Sequence, residues 1–280
     1  MQILVLGSKG TLGQQLMKVF EGAIGFDRGE ADVTNFSELE RKIFSLKTQP
    51  NVIINCVAYN NVDGAESNVD AAMKLNRDLV KNLANLCRTK KILLIHFSTN
   101  YVFDGEKGEY QENDRPLPLS VYGQSKFLGE LELEDNLDTF YLVRTAVLFG
   151  PKGTSNDSKK SFVDLMLDLG QKEKELKVVS DEINSITYAP DLAEAVKKMI
   201  ETKPSFGIYH LTNQGQASWY ELAKEIFSLK KISVEVEPVP GSSFARQAKR
   251  PLKAVLINTK FPRLRPWQEA LKEYLSGQLN

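Results

Sequence analysis

Ile3-Leu4-Val5-Leu6-Gly7-Ser8-Lys9-Gly10-Thr11-Leu12-Gly13 runs from a short apolar segment into a glycine-punctuated turn, and from there into an amphipathic stretch over residues 12–21. The apolar run reads as a strand and the three-and-four spacing as a helix, with the glycines as the turn between them. A dinucleotide needs such a turn: no side chain beside the pyrophosphate, backbone N–H groups aimed at the phosphates and a helix N-terminus behind them. Gly7 and Gly10 suit the turn and the close approach, and Gly13 suits tight helix-on-strand packing. Three glycines alone also make a βα turn that binds nothing. Asp27 adds the second sign, since it stands 20 residues after Gly7 at the end of the next apolar run, where an acid accepts from an adenosine ribose hydroxyl. Arg28 beside it suits a 2′-phosphate, so NADH and NADPH both stay open.

Outward from this turn, apolar runs at residues 2–6, 23–26, 52–57, 92–97 and 140–143 alternate with amphipathic stretches at 12–21, 36–46, 70–88 and 121–133. Continuous rather than alternating apolar runs belong to strands buried on both faces, and this order builds a parallel sheet with helices on each side. After Gly150 the regularity breaks at the polar turn Pro151-Lys152-Gly153-Thr154-Ser155-Asn156, and Pro190, Pro204, Pro238, Pro240 and Pro251 interrupt the later elements. The expected division is a dinucleotide-binding domain over residues 1–145 and a mainly substrate-binding lobe over 146–280, with some later elements packing back on the first domain.

Composition narrows the classes further. With 42% apolar and 26% charged residues in 280, the chain has the balance of a globular protein of about two lobes. Lys plus Arg equals Asp plus Glu at 36 each, which removes the electrostatic case for a nucleic-acid partner. Cys56 and Cys87 have no CxxC spacing and the histidines, His96 and His210, lie far apart, so neither a disulfide framework nor a metal site is expected. Met1 leads directly into the first strand without the basic segment of a signal peptide, and no run reaches membrane-spanning length, so the expected compartment is the cytoplasm.

Tyr122-Gly123-Gln124-Ser125-Lys126 places a phenol and an ammonium on one face of a helix. Free tyrosine has a pKa near ~10, and a cation held close favours its phenolate, so the pair suits proton donation to a carbonyl oxygen. The same spacing recurs at Tyr220-Glu221-Leu222-Ala223-Lys224, which reads as an ordinary helix face because no glycine turn or strand-end hydroxyl accompanies it. Tyr122 differs because the apolar run 92–97 ends in Ser98-Thr99, and hydroxyls at a strand's carboxyl end face the ligand crevice of such sheets.

Together these residues resemble an extended short-chain dehydrogenase/reductase. The string Ser98-Thr99-Asn100-Tyr101-Val102-Phe103-Asp104-Gly105, with Pro118 through Tyr122-Gly123 to Lys126, is similar to the dTDP-4-dehydrorhamnose reductase family. So are Asn55-Cys56-Val57-Ala58 with Val62-Asp63-Gly64-Ala65-Glu66, Arg144-Thr145 before Gly150, Gly207-Ile208-Tyr209-His210-Leu211 with Ser218-Trp219-Tyr220, and Arg250-Pro251. The resemblance implies a Rossmann-type, doubly wound α/β fold with a smaller C-terminal substrate-binding lobe. It also implies NADPH- or NADH-dependent reduction of the 4-keto group of a dTDP-linked 6-deoxyhexose, dTDP-4-dehydro-L-rhamnose to dTDP-L-rhamnose. Thr99, Tyr122 and Lys126 would be the catalytic set. Cofactor contacts would fall on Gly7, Gly10, Thr11, Leu12, Gly13, Asp27 and Arg28, on Asp32 and Val33 near adenine, on Ala58, Tyr59 and Asn60, and on Tyr122 and Lys126. Substrate would meet Val62, Thr99, Asn100, Tyr101, Val147 and Arg250.

The family usually carries aspartate at the position of Asn100, tryptophan at that of Val147 and serine at that of Ala146. Such changes exchange an acceptor for an amide and remove a stacking surface, leaving a reductase or epimerase of another nucleotide-linked keto sugar as an alternative. The family's similarity to the beta subunit of methionine adenosyltransferase leaves a second, non-catalytic dinucleotide-binding reading. Arg246, Lys249, Arg250 and Lys253 suit a substrate diphosphate or, alternatively, a solvated face. Some relatives are metal-bridged dimers, which keeps a homodimer open, although no acidic cluster in the sequence marks such a metal.

Overall fold

A computed structural model describes residues 1–155 and 158–277. The first half comprises β1 (Ile3–Leu6), α1 (Thr11–Val19), β2 (Ile24–Phe26), α2 (Phe36–Phe44), β3 (Val52–Asn55), α3 (Val62–Ser67), α4 (Val69–Met73), α5 (Leu79–Lys90), β4 (Leu93–Thr99), β5 (Gly108–Tyr110), α6 (Val121–Asn136) and β6 (Phe140–Thr145). It continues through β7 (Leu148–Phe149), α7 (Phe162–Gly170), β8 (Glu175–Val179), β9 (Ile183–Asn184), β10 (Thr187–Tyr188), α8 (Ala189–Thr202) and β11 (Gly207–His210). The last elements are β12 (Ala217–Ser218), α9 (Trp219–Lys230), β13 (Glu235–Val239), β14 (Lys253–Leu256) and α10 (Trp267–Ser276).

Six strands form one parallel sheet in the order β2-β1-β3-β4-β6-β11. Its inner strands are buried on both faces, and alternation within each assigns their side chains to two cores. Ile3 and Val5 point with Val52, Ile54, Ile95 and Phe97 towards Leu16 of α1 and Leu192, Val196 and Met199 of α8. Leu4 and Leu6 point with Ile53 and Leu94 towards Leu39 and Ile43 of α2 and Leu79, Val80 and Leu83 of α5. The α/β, doubly wound reading therefore holds. The chain leaves β1 towards β2 on one side and returns to β3 on the other, and this reversal opens a crevice at the strands' carboxyl ends.

Several boundaries differ from the sequence expectation. The run 52–57 ends as a strand at Asn55, whose side chain accepts from Val57 N–H at 3.1 Å, and the run 92–97 extends to Thr99. The amphipathic stretch 70–88 is α4, one π-helical turn over Lys74–Asp78 and α5. This π turn presents the Asn76 carbonyl to α6, where a Cβ on Gly129 would come within 2.0 Å of it. Gly123 does the same at the start of α6, where a Cβ would lie 2.2 Å from the Tyr101 carbonyl.

A smaller core of α7, α9, α10, β7 and β10 is built from Phe149, Met166, Tyr188, Leu222, Ile226, Trp267 and Leu271. A four-stranded sheet of β12-β9-β14-β5 lies beside it. The later half also returns β11 to the large sheet and lays α8 on α1. A buried polar network joins these layers. Arg144 of β6 forks onto Glu130 of α6 at 2.7 to 3.2 Å and donates to the Glu112 carbonyl at 3.3 Å. Glu112 in turn accepts from Thr259 Oγ1 at 2.6 Å. Among the described residues no helix is long and apolar enough to cross a membrane.

Removing one partner of a buried, hydrogen-bonded ion pair strands the other charge, at a cost of about 3–5 kcal/mol. Arg144→Met is expected to lose that much in urea unfolding, and a loss below about 1 kcal/mol would show that water reaches Glu130. Gly129→Ala would ordinarily stabilise a helix by up to about 1 kcal/mol. Here overpacking against the Asn76 carbonyl reverses the sign to a net loss of about 1–3 kcal/mol, read in the same assay.

Candidate active site

At the head of β1, the turn Gly7–Gly13 closes on the end of β2, with Gly7 N–H and Ser8 N–H donating to the Phe26 carbonyl at 2.7 and 3.1 Å. Gly7 holds φ +75°, and a Cβ on Gly13 would meet the Gly7 carbonyl at 2.1 Å, so neither position accepts a larger residue without a shift of backbone. Gly10 caps α1 with no side-chain hydrogen bond, and the first turn carries no acid. Thr11 and Leu12 therefore open a helix whose positive end is free of its own carboxylates, the arrangement that receives a phosphate. Asp27 and Arg28 follow β2 directly. Lys9 pairs with Glu30 at 2.7 Å and Glu30 accepts from Asp27 N–H at 3.0 Å, which ties the glycine turn to the acidic turn. The segment after β7 lies over the same turn, with Ser155 N–H donating to the Lys9 carbonyl at 3.1 Å.

Asp32 turns inward on its own loop, accepting from Thr34 N–H at 2.9 Å and Thr34 Oγ1 at 2.8 Å, while Val33 packs at the edge of the second core. Ala58, Tyr59 and Asn60 form the loop leaving β3. Asn76, which the sequence reading did not single out, clamps that loop. Its Oδ1 accepts from Tyr59 N–H at 2.8 Å, and its Nδ2 donates to the Tyr59 carbonyl at 3.0 Å and to Ser125 Oγ at 2.9 Å. Uncapped helix end, glycine turn, strand-end acid and clamped loop line one crevice, and these residues fit a dinucleotide.

The β4 end and α6 meet across the middle of the crevice. Ser120 caps α6 through Gly123 N–H at 3.2 Å, and Glu66 of α3 accepts from Val121 N–H at 2.9 Å. The Tyr122 phenol faces the Thr99 side chain, and its ring meets Tyr101 edge-on at 6.0 Å. Burial raises the Tyr122 phenol above its ordinary value, with Thr99 pulling the other way. That corrects the expectation of a cation-favoured phenolate. Lys126 is turned to the sheet, donating to the Phe97 carbonyl at 2.6 Å, and burial pushes its ammonium down to about 8. The tyrosine is therefore held as a neutral hydroxyl, the form that can give a proton.

Of the remaining candidates, Asn100 is 2% exposed and spends its amide on Asn184 Oδ1 at 2.8 Å and the Ala254 carbonyl at 3.0 Å. Val147 adopts φ +36°, a strained conformation for a β-branched residue, and packs against the C-terminal core. Val62 begins α3. Beside it Asp63 takes the Arg250 guanidinium in a fork at 2.6 and 3.2 Å and accepts from Ala248 N–H at 3.1 Å. Arg250 holds the Asp63 carboxyl below its usual range. Of the other basic candidates, Arg246 pairs with Glu182 at 2.5 Å and Lys253 stands 3.8 Å from Glu109, so three of the four cations already have acids. The second tyrosine-lysine pair lies on α9 with Lys224 over the Tyr220 ring at 5.4 Å, a helix-face contact as expected. Among the described residues no cluster of three or more His, Cys, Asp or Glu side chains could hold a metal ion.

The family model described as RmlD substrate binding domain matches residues 1–279. The dTDP-4-dehydrorhamnose reductase of Aggregatibacter actinomycetemcomitans is 36% identical over 293 residues, covering 97% of this chain and 97% of that protein. Among solved structures, a dTDP-4-dehydrorhamnose reductase of Clostridium acetobutylicum matches with TM-score 0.91 and 39% identity over 99% of each chain. The Bacillus anthracis dTDP-4-dehydrorhamnose reductase in complex with NADP matches with TM-score 0.92 and 32% identity, again over 99% of each. A match of this depth over the full length makes the chain a member of the dTDP-4-dehydrorhamnose reductase family.

Proposed function

We propose that this protein reduces the 4-keto group of a dTDP-linked 6-deoxyhexose, taking dTDP-4-dehydro-L-rhamnose to dTDP-L-rhamnose with NADPH or NADH. The observation that carries the reading is the meeting of Thr99, Tyr122 and Lys126 at the carboxyl end of β4, beside a turn fit for a dinucleotide. The bound nicotinamide supplies the hydride. Tyr122 gives its phenolic proton to the keto oxygen as the alcohol forms, and Thr99, whose side chain the Tyr122 phenol already faces, holds the same oxygen. Lys126, one helical turn on, balances the phenolate left behind.

Residues 146–280 are proposed to carry most of the sugar-nucleotide contacts, brought to the crevice by the Asp63–Arg250 fork. The family names of the relatives support the substrate class, as does the place of the two departures. Asn100 and Val147 are both engaged within the protein, and neither removes the proton donor.

Tyr122→Phe is expected to keep nucleotide affinity, read by fluorescence quenching, and to lose turnover by at least about 10²-fold. Near-normal turnover would remove Tyr122 from the reaction. Arg250→Gln is expected to raise KM for the sugar nucleotide and leave cofactor affinity unchanged. An unmoved KM would leave Arg250 as an inter-lobe tie only.

A further inference from the structure

Behind Lys126 lie two polar side chains that no step above uses. Asn55 ends β3 and His96 is its register partner in β4, and each is 1% exposed. We propose that Asn55 and His96 form a positioning pair that presents an N–H, rather than an acceptor, to Lys126 and so weakens its hold on its proton. The inference rests on the reading of Lys126 as part of the active site.

Asn55 Oδ1 accepts from Val57 N–H at 3.1 Å, which fixes the amide and leaves Nδ2 facing His96 Nδ1 at 3.1 Å. Nδ2 can only donate, so Nδ1 is the acceptor and the neutral ring carries its proton on Nε2. Burial holds His96 neutral, well below its ordinary pKa. Turning the ring over would set carbons against both neighbours and forfeit both contacts. Nε2 lies 3.4 Å from Lys126 Nζ. An ammonium offers only donors, whereas a free amine offers a lone pair to Nε2–H while still donating to the Phe97 carbonyl at 2.6 Å.

The other groups facing Lys126 are few. Cys56 follows β3, with its thiol raised by burial, and Tyr122 stands one turn earlier on α6. Glu130, one turn later, favours the charge, but its carboxylate is already forked by Arg144. The displacement of Lys126 to about 8 runs in the direction the pair demands. A lysine so placed first balances the Tyr122 phenolate and then returns a proton to it more readily, and His96 steadies the free amine left behind.

The chain's two histidines allow a direct test, because His210 must be the opposite tautomer. Its Nδ1 lies 3.1 and 3.2 Å from the carbonyls of Tyr110 and Ile257, which only accept, and its Nε2 faces Arg144 Nη1 at 3.4 Å. Long-range ¹H–¹⁵N correlation spectra of the ¹⁵N-histidine protein at pH 7, assigned with His210→Gln, should show His96 neutral with its proton on Nε2. A proton on Nδ1, or an imidazolium, overturns the proposal. Should His210→Gln not fold, Asn55→Asp assigns the ring instead, since its carboxylate accepts at Nδ1 and switches that tautomer alone.

The functional readout is the alkaline limb of kcat/KM, where activity falls as pH rises through the Lys126 pKa. His96→Gln, which can turn an oxygen to the ammonium, should move that limb upward by roughly half a pH unit or more. A fall in rate with an unmoved limb marks a merely structural role and overturns the proposal. Normal turnover in Tyr122→Phe would instead defeat the functional reading and leave the tautomer result standing.

Discussion

Everything at this site depends on how closely α6 approaches the carboxyl end of the sheet. Gly123 and Gly129, set against the carbonyls of Tyr101 and Asn76, remove the two Cβ atoms that would hold the helix off. With them absent, Tyr122 reaches the Thr99 side chain and Lys126 is driven into the interior beside β4. Burial then does the chemical work. It keeps the phenol protonated and loosens the ammonium, moving a tyrosine and a lysine with ordinary pKa values near ~10 in opposite directions, as the proposed proton donor and its neighbour require.

Polar groups buried for this purpose need partners, and the fold supplies them from distant parts of the chain. Asn76 joins the loop after β3 to α6. Glu130 and Arg144 join α6 to β6, and Glu112 carries the connection to Thr259. Two further ties, Asn100 to Asn184 and Asp63 to Arg250, hold the later lobe over the crevice. These contacts cost desolvation, and each is acceptable because its partners are nearly saturated. The site thus sits where elements from distant parts of the chain are tied together by polar groups.

Much of this was legible in the chain itself, for physical reasons. Strands buried on both faces are largely apolar, so β1, β3 and β4 stood out, and the glycine turn announced itself because its close contacts admit no other residue. Tyr122 could be separated from Tyr220 only by its neighbours, since the spacing to lysine is identical. The pairing of Asn55 with His96 and the clamp made by Asn76 escaped because a buried polar residue gains its meaning from a partner far away in sequence. Their one local signal was a polar residue closing or interrupting an apolar run, as in Val52-Ile53-Ile54-Asn55 and Leu93-Leu94-Ile95-His96. The direction of the Tyr122 shift was hidden for the same reason: helix spacing shows that a lysine is near, but not that it turns to the sheet.

The most direct measurement incubates the purified protein with NADPH or NADH and the dTDP-4-keto-6-deoxyhexose mixture formed by sequential 4,6-dehydration and epimerisation, following nicotinamide absorbance and identifying the sugar released. The account predicts oxidation of the cofactor with dTDP-L-rhamnose as product. Cofactor binding without oxidation, or oxidation yielding a different sugar, would contradict it.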